Sequence, residues 1–232
     1  CMKMVTFSNA ETEVICGALV DGEIDFPTEC LVDNTFPIEI LSKIKRVELI
    51  NSRLDNLDFL TFLPNLEELV ITNLDYQKVA DYLDYSESAF NIIYDYSAIS
   101  KLKSLKKLVI DNDVCVRELD LSWISKQDVI DLKTNPGLGK VYLNCTNAKR
   151  AAFLADSRFE CDINVDCNVV VAGSALKRFL ANNINVIDVI NFHNVQNQFV
   201  KRFLEDMCSN YGINTNFLDY GIVNEAVSKI AA

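Results

Sequence analysis

His193 is the only histidine in the chain, so imidazole chemistry is limited to a single dyad. It stands beside Asn194 in NFHN, far from any nucleophile signature. Neither a G-x-S-x-G elbow nor a cysteine-centred motif occurs. The pattern predicts an exposed surface histidine and a chain that is not an enzyme. Phosphate chemistry needs a loop whose backbone amides can approach the ligand. NPGLGKVY at 135–142 carries two glycines and a lysine, but in neither P-loop nor dinucleotide spacing. It reads as a turn entering a strand. Asp162, Asn164 and Asp166 alternate, so a strand would present all three on one side, beside Tyr142 and Asn144 of a neighbouring strand. Oxygen ligands in that array suit a hard cation such as calcium. The spacing lacks an EF-hand loop, and a solvated polar face is the simpler account. No cofactor and no metal is expected.

The composition narrows the partners. The chain has 232 residues, 33 acidic against 22 basic, and a net charge of −11. That balance repels phosphate backbones, so nucleic acid is not an expected partner. No apolar run approaches the roughly 20 residues of a membrane span. The opening CMKMVTFSNA holds no signal-peptide core. Eight cysteines, with no C-x-x-C and one histidine, lack zinc-site spacing. Reduced, buried thiols in a cytoplasmic monomer are expected. The alternative is a secreted or cell-surface chain, such as a lipoprotein held through Cys1, although KMVTF does not read as a flexible tether.

The elements that would position these residues are announced by residues 63–73, LPNLEELVITN, which satisfy neither a helical nor a simple strand period. The stretch recurs. Ile44-x-x-Val47-x-Leu49-x-Asn51 matches Leu66-x-x-Leu69-x-Ile71-x-Asn73 at an offset of 22. Further copies are Leu105-x-x-Leu108-x-Ile110-x-Asn112, Leu138-x-x-Val141-x-Leu143-x-Cys145, Glu160-x-x-Ile163-x-Val165-x-Cys167 and Ile187-x-x-Ile190-x-Phe192-x-Asn194. Degenerate copies hold Ile24 and Phe26 at one end, and Ile213, Thr215 and Phe217 at the other. LDNLDFLTFLPNLEELVITN, with ISKLKSLKKLVIDN after it, resembles the leucine-rich-repeat family, and specifically its short internalin-like kind of about 22 residues. The family's ninth-position asparagine or cysteine is Ser52, Leu74, Asp113, Thr146, Asn168 and Val195 here. Asn and Cys fall at the eighth position instead.

The resemblance implies an α/β leucine-rich-repeat solenoid. A curved parallel sheet would line the concave face, with short helices and irregular returns on the convex face. Val47, Leu69, Leu108, Val141 and Ile163 would meet in one interior. Helical returns are expected over 125–132, 146–155, 174–182 and 195–209, the last setting Phe199, Phe203 and Met207 four apart on one face. Residues 1–35 would form an N-terminal cap, 36–217 the repeat domain and 218–232 a C-terminal capping helix. Cys145 and Cys167 would be equivalent in adjacent coils, either as ladder thiols or as a disulfide.

Two intervals exceed the period. Leu66 to Leu105 spans 39 residues and places a tyrosine-rich insertion near 75–98, while Leu105 to Leu138 spans 33 and includes Trp123. By resemblance, the function is protein–protein interaction through the concave sheet. The candidate contacts are Arg46, Glu48, Glu68, Val70, Lys107, Asp111, Lys140, Tyr142, Asp162 and Asp166. Tyr82, Tyr85 and Tyr94 of the insertion are candidates too, because tyrosine gives large contact area at small entropic cost; a local mini-core is the alternative for them. The other function considered is the substrate-recognition part of a larger enzyme or effector.

Overall fold

The computed structural model describes residues 3–73, 90–124, 129–132, 135, 137–154, 158–165 and 173–218. Tyr82, Tyr85, Asp166 and Cys167 lie outside the described residues, as does the expected terminal helix beyond Leu218. In chain order the described elements are β1 (Met4–Thr6), α1 (Asn9–Asp21), α2 (Glu29–Asp33), β2 (Thr35–Pro37), α3 (Ile38–Leu41), β3 (Arg46–Ile50) and β4 (Arg53–Leu54). Then follow β5 (Glu68–Thr72), β6 (Ile92–Ile93), β7 (Lys107–Ile110), β8 (Glu118–Asp120), β9 (Val129–Asp131) and β10 (Lys140–Asn144). The chain continues through α4 (Cys145–Arg150), β11 (Phe159–Asn164), α5 (Gly173–Asn183), β12 (Ile187–His193), α6 (Gln198–Asn210) and β13 (Asn214–Leu218). The protein is a mixed α/β chain with parallel sheets. Its contacts define two compact units, Cys1–Val116 with Ile130–Pro136, and Arg117–Val129 with Gly137–Ala232.

The first unit holds a four-stranded sheet in the order β3-β5-β7-β9. Val47 aligns with Leu69 and Leu69 with Leu108, and all three are buried. The strands alternate buried and outward residues because one side packs against the returns. These returns are short 3-10 turns, Asp58–Phe62 and Ser97–Lys101, which bury Phe59 and Leu60 in one and Ala98 and Ile99 in the other. Ahead of the sheet, β1 pairs antiparallel with β2. Helix α1 is started by a capping box in which Ser8 and Glu11 satisfy each other's backbone amides. Ile24 and Phe26 lie in irregular chain, so no strand of a degenerate repeat forms there; Phe26 instead meets Phe36 with ring centroids 6.3 Å apart.

Residues Asn91, Asp113 and Asn135 tie this unit together. All three are buried, and each follows the last by 22 residues. Asn91 Oδ1 accepts from the Ser52 amide at 2.9 Å, while Nδ2 donates to the Thr72 and Asp111 carbonyls at 3.0 and 2.9 Å. One side chain thus bridges three successive turns of the chain. Asp113 accepts from the Ile93 and Cys115 amides at 3.2 and 2.7 Å and from the Tyr96 hydroxyl. Asn135 Oδ1 accepts from the Asp113 amide at 3.0 Å, and its Nδ2 donates to the Ile110 carbonyl at 2.9 Å. The eighth-position asparagines serve the backbone differently. Asn51, Asn112 and Asn194 adopt positive φ of 46°, 62° and 65° where the chain turns off a strand.

The second unit holds a five-stranded parallel sheet, β13-β12-β11-β10-β8. Val141 aligns with Leu119 and with Cys161, Cys161 with Ile190, and Ile190 with Thr215. This corrects the sequence alignment in one place. Val141 faces Cys161 rather than Ile163, and Leu143 faces Ile163, because the return between β10 and β11 is two residues shorter than the 22-residue period. The slip is even, so each side chain keeps its face.

The expected helices form at 145–150, 173–183 and 198–210, but β9 is a strand where the last part of a helix over 125–132 was expected. α6 buries Leu204, Met207 and Cys208, whereas Phe199 and Phe203 are exposed, so of the three residues four apart only Met207 is packed. Its N-cap Asn197 accepts from the Phe199 and Val200 amides. Val47, Leu69 and Leu108 therefore share one sheet, and Val141 and Ile163 another.

Candidate functional site

Parallel register lines the outward side chains into rows across each sheet. In the first unit Arg46, Glu68 and Lys107 make one row, and Glu48, Val70 and Val109 the next; Ile50 stands beside Thr72. Arg46 lies 3.1 Å from Glu48 and 3.4 Å from Glu68. These pairs stand in solvent and add little stability, but they hold the long side chains in place. Glu48, Glu68, Val70 and Asp111 are half-buried, and Arg46 and Lys107 are exposed. Tyr94, from the end of the insertion, is 70% exposed, which sets it outside any mini-core.

In the second unit the first row is Glu118, Lys140, Glu160, Val189 and Asn214, and the second is Asp120, Tyr142, Asp162, Asn191 and Asn216. The third row runs Asn144, Asn164, His193 and Leu218. A polar network occupies its centre. Asp162, 2% exposed, accepts from Asn191 Nδ2 at 2.7 Å and pairs with His193 Nε2 at 2.8 Å. The Lys140 ammonium lies 3.3 Å from the same carboxylate and 5.2 Å from the centre of the Tyr142 ring. Asn191 also donates to Glu160, and Asn216 donates to Asn191 Oδ1 at 3.1 Å. Burial alone would push the Asp162 carboxyl up. Hydrogen bonds from His193 and Asn191 and the charge of Lys140 outweigh it, so the carboxyl titrates below its ordinary value. For Lys140 itself, burial opposes the charge, but the carboxylates of Asp162 and Glu160 outweigh it and raise its pKa.

His193 is thus not the exposed histidine expected from its position. It is 5% exposed, and its Nδ1 has no hydrogen-bond partner among the described residues. A carboxylate only accepts, so Asp162 places the neutral ring's proton on Nε2 and leaves Nδ1 as an acceptor. The oxygens expected to offer a cation site are otherwise engaged: Asp162 as above, and Asn164 Oδ1 by the Asn194 amide. Among the described residues no group of three or more His, Cys, Asp or Glu is arranged to hold a metal ion. Cys16, Cys30, Cys115, Cys161 and Cys208 are thiols, and no disulfide joins them. Burial pushes the Cys161 thiol well up and that of Cys208 up to about 12, so neither offers a thiolate near neutral pH.

The sequence-derived contacts therefore divide into two sets. Arg46, Glu48, Glu68, Val70 and Lys107 share the outward face of the first sheet, with Asp111 immediately after β7. Lys140, Tyr142 and Asp162 share that of the second, where Asp162 is buried and bound internally. Asn191, His193 and Asn216 were missed as members of the Asp162 network. Their signal was present in the repeat, since strand parity places them on the same side as Asp162. Trp123 was missed as well. Its indole N–H donates to Asp120 Oδ2 at 3.1 Å.

No family model matches the chain, and a search of curated proteins finds no match. Among the described residues no helix is long and apolar enough to cross a membrane.

Proposed function

We propose that the chain is a divergent leucine-rich-repeat solenoid that acts as a recognition module, binding a protein partner through the outward faces of its parallel sheets. The observation that carries this reading is the set of cross-strand rows. Arg46–Glu68–Lys107 and Glu48–Val70–Val109 present both charge signs and apolar spots on strands fixed by backbone ladders and by the buried Asn91, Asp113 and Asn135. A face held in place before association loses little entropy on binding. Mixed polarity suits a protein surface better than a polyanion. The reading is one of binding without turnover. Among the described residues no serine, threonine or cysteine hydrogen-bonds His193 Nδ1, so the Asp162–His193 pair has no nucleophile there to activate. Thiols at Cys16, Cys30, Cys115, Cys161 and Cys208 suit a reducing compartment, and with it a cytoplasmic chain.

The test is affinity capture with the full chain, followed by titration of the captured protein against variants. Arg46→Glu combined with Lys107→Glu should weaken binding about tenfold or more, as loss of central contacts does. Lys177→Glu, on the exposed side of α5, should leave it within about twofold. Equal affinity for all three proteins would remove the sheet face as the binding surface.

A further inference from the structure

We propose that Trp123 and Asp120 form a docking point for a basic segment of a protein partner, one that places an arginine or lysine side chain on the indole. This rests on the reading of the chain as a recognition module and specifies the partner's chemistry. Trp123 is the only tryptophan in the chain and is 58% exposed. A side chain of that area gains much by burial, and this one stands exposed in the turn that follows β8.

The ring is also held. Its Nε1–H donates to Asp120 Oδ2 at 3.1 Å, and Asp120 Oδ1 accepts from the Ser122 amide at 3.0 Å and from the Ser122 hydroxyl. The carboxylate and the indole are thus fixed to each other before any ligand arrives. A guanidinium over the indole face meets the negative side of the ring quadrupole and can donate to the carboxylate at its edge.

The surroundings select for positive charge. Asp120 stands opposite Tyr142, which stands opposite Asp162, and Glu118 stands opposite Lys140, which stands opposite Glu160. Asp162 is buried and bound internally, so the acids open to a ligand at those positions are Glu118, Asp120 and Glu160, against the one base Lys140. The ammonium of Lys140 is already directed to Asp162 at 3.3 Å and Glu160 at 4.0 Å. The chain's overall charge of −11 adds long-range attraction for a cationic segment.

A single tryptophan makes the test direct. The full chain is titrated with octa-arginine and with octa-glutamate while Trp123 emission is read. Fluorescein-labelled octa-arginine is then titrated by anisotropy against the wild type, Trp123→Leu, Asp120→Asn and Glu13→Gln. Glu13 is an exposed acid of α1 and controls for diffuse charge. Octa-arginine should change the emission and octa-glutamate should not. Trp123→Leu and Asp120→Asn should each weaken peptide binding about fivefold, and Glu13→Gln less than about twofold.

Unaltered emission, or equal weakening by all three substitutions, overturns the docking point and reduces the effect to that of an adventitious polyanion. If Trp123→Leu fails to fold, the emission titration and Asp120→Asn decide alone. A captured partner that binds the Trp123→Leu and Asp120→Asn variants as well as wild type overturns the docking point and leaves the wider reading intact. Peptide binding localised to Trp123 without any captured partner removes the wider reading instead.

Discussion

At the scale of single residues, Asp162 joins the ionic and the amide contacts of the second sheet. Its folded pKa lies below the ordinary carboxylate value of 3.8. The stability it contributes is therefore present above the unfolded pKa and is lost as pH falls through the folded one. Urea unfolding at a series of pH values should show wild-type stability declining below about pH 4, and Asp162→Asn should lose less over the same interval. A variant with the same acid sensitivity as wild type would assign the decline to other carboxyls. His193 gives a second reading of the same network. As the chain's only histidine it yields one set of imidazole nitrogen resonances. The neutral ring should carry its proton on Nε2, towards Asp162, and Asp162→Ala should release that preference. A proton on Nδ1 would contradict the geometry. Residue spacing carried the shared side of these residues, but not the burial of His193 or its pairing with Asp162. Burial of a histidine on the outward side of a strand depends on its cross-strand neighbours, and a motif search centred on nucleophiles passes over a pair that has none.

At the scale of elements, the repeat was legible where its period held and obscure where the chain departed from it. Leu69 over Val47 and Leu108 over Leu69 follow directly from the apolar spacing. The buried asparagine of the second turn escaped because the extra residues fall between the strand ending at Thr72 and Asn91; counting nine positions reached Leu74 instead. β9 escaped for a related reason. Ile130-x-Leu132-x-x-Asn135 keeps the strand and the asparagine but lacks the leucine three residues ahead, so the interval from Leu105 to Leu138 looked merely long. The four-residue spacing in α6 places Phe199, Phe203 and Met207 on one face but does not report which of them pack, and only Met207 does. The cost of losing Asn91 can be stated. Asn91→Ala leaves the Ser52 amide and the Thr72 and Asp111 carbonyls without their side-chain partner, and should destabilise the protein by about 3 kcal/mol in denaturant titration. Asn91→Asp should be worse, since it sets a carboxylate against two carbonyl oxygens that need a donor. Loss of under about 0.5 kcal/mol in the alanine variant would mean that water replaces the side chain at no cost.

At the scale of the whole molecule, the α/β class and the parallel strands expected from the repeats are present. The sequence could not show that Val47, Leu69 and Leu108 share one sheet and Val141 and Ile163 another, since a local period does not report which strands share a sheet. The proposed function rests on surfaces that this division leaves in place, because strand parity sets the outward residues in each unit separately. The most direct measurement is covalent footprinting of lysine amines and carboxylates in the isolated chain and in complex with its captured partner. Protection concentrated at Lys107, Glu48, Glu68 and Asp120, with the α5 and α6 positions Lys177 and Glu205 still labelled, is the predicted result. Protection confined to the helices, with those four sheet and strand-end positions fully labelled, would contradict it.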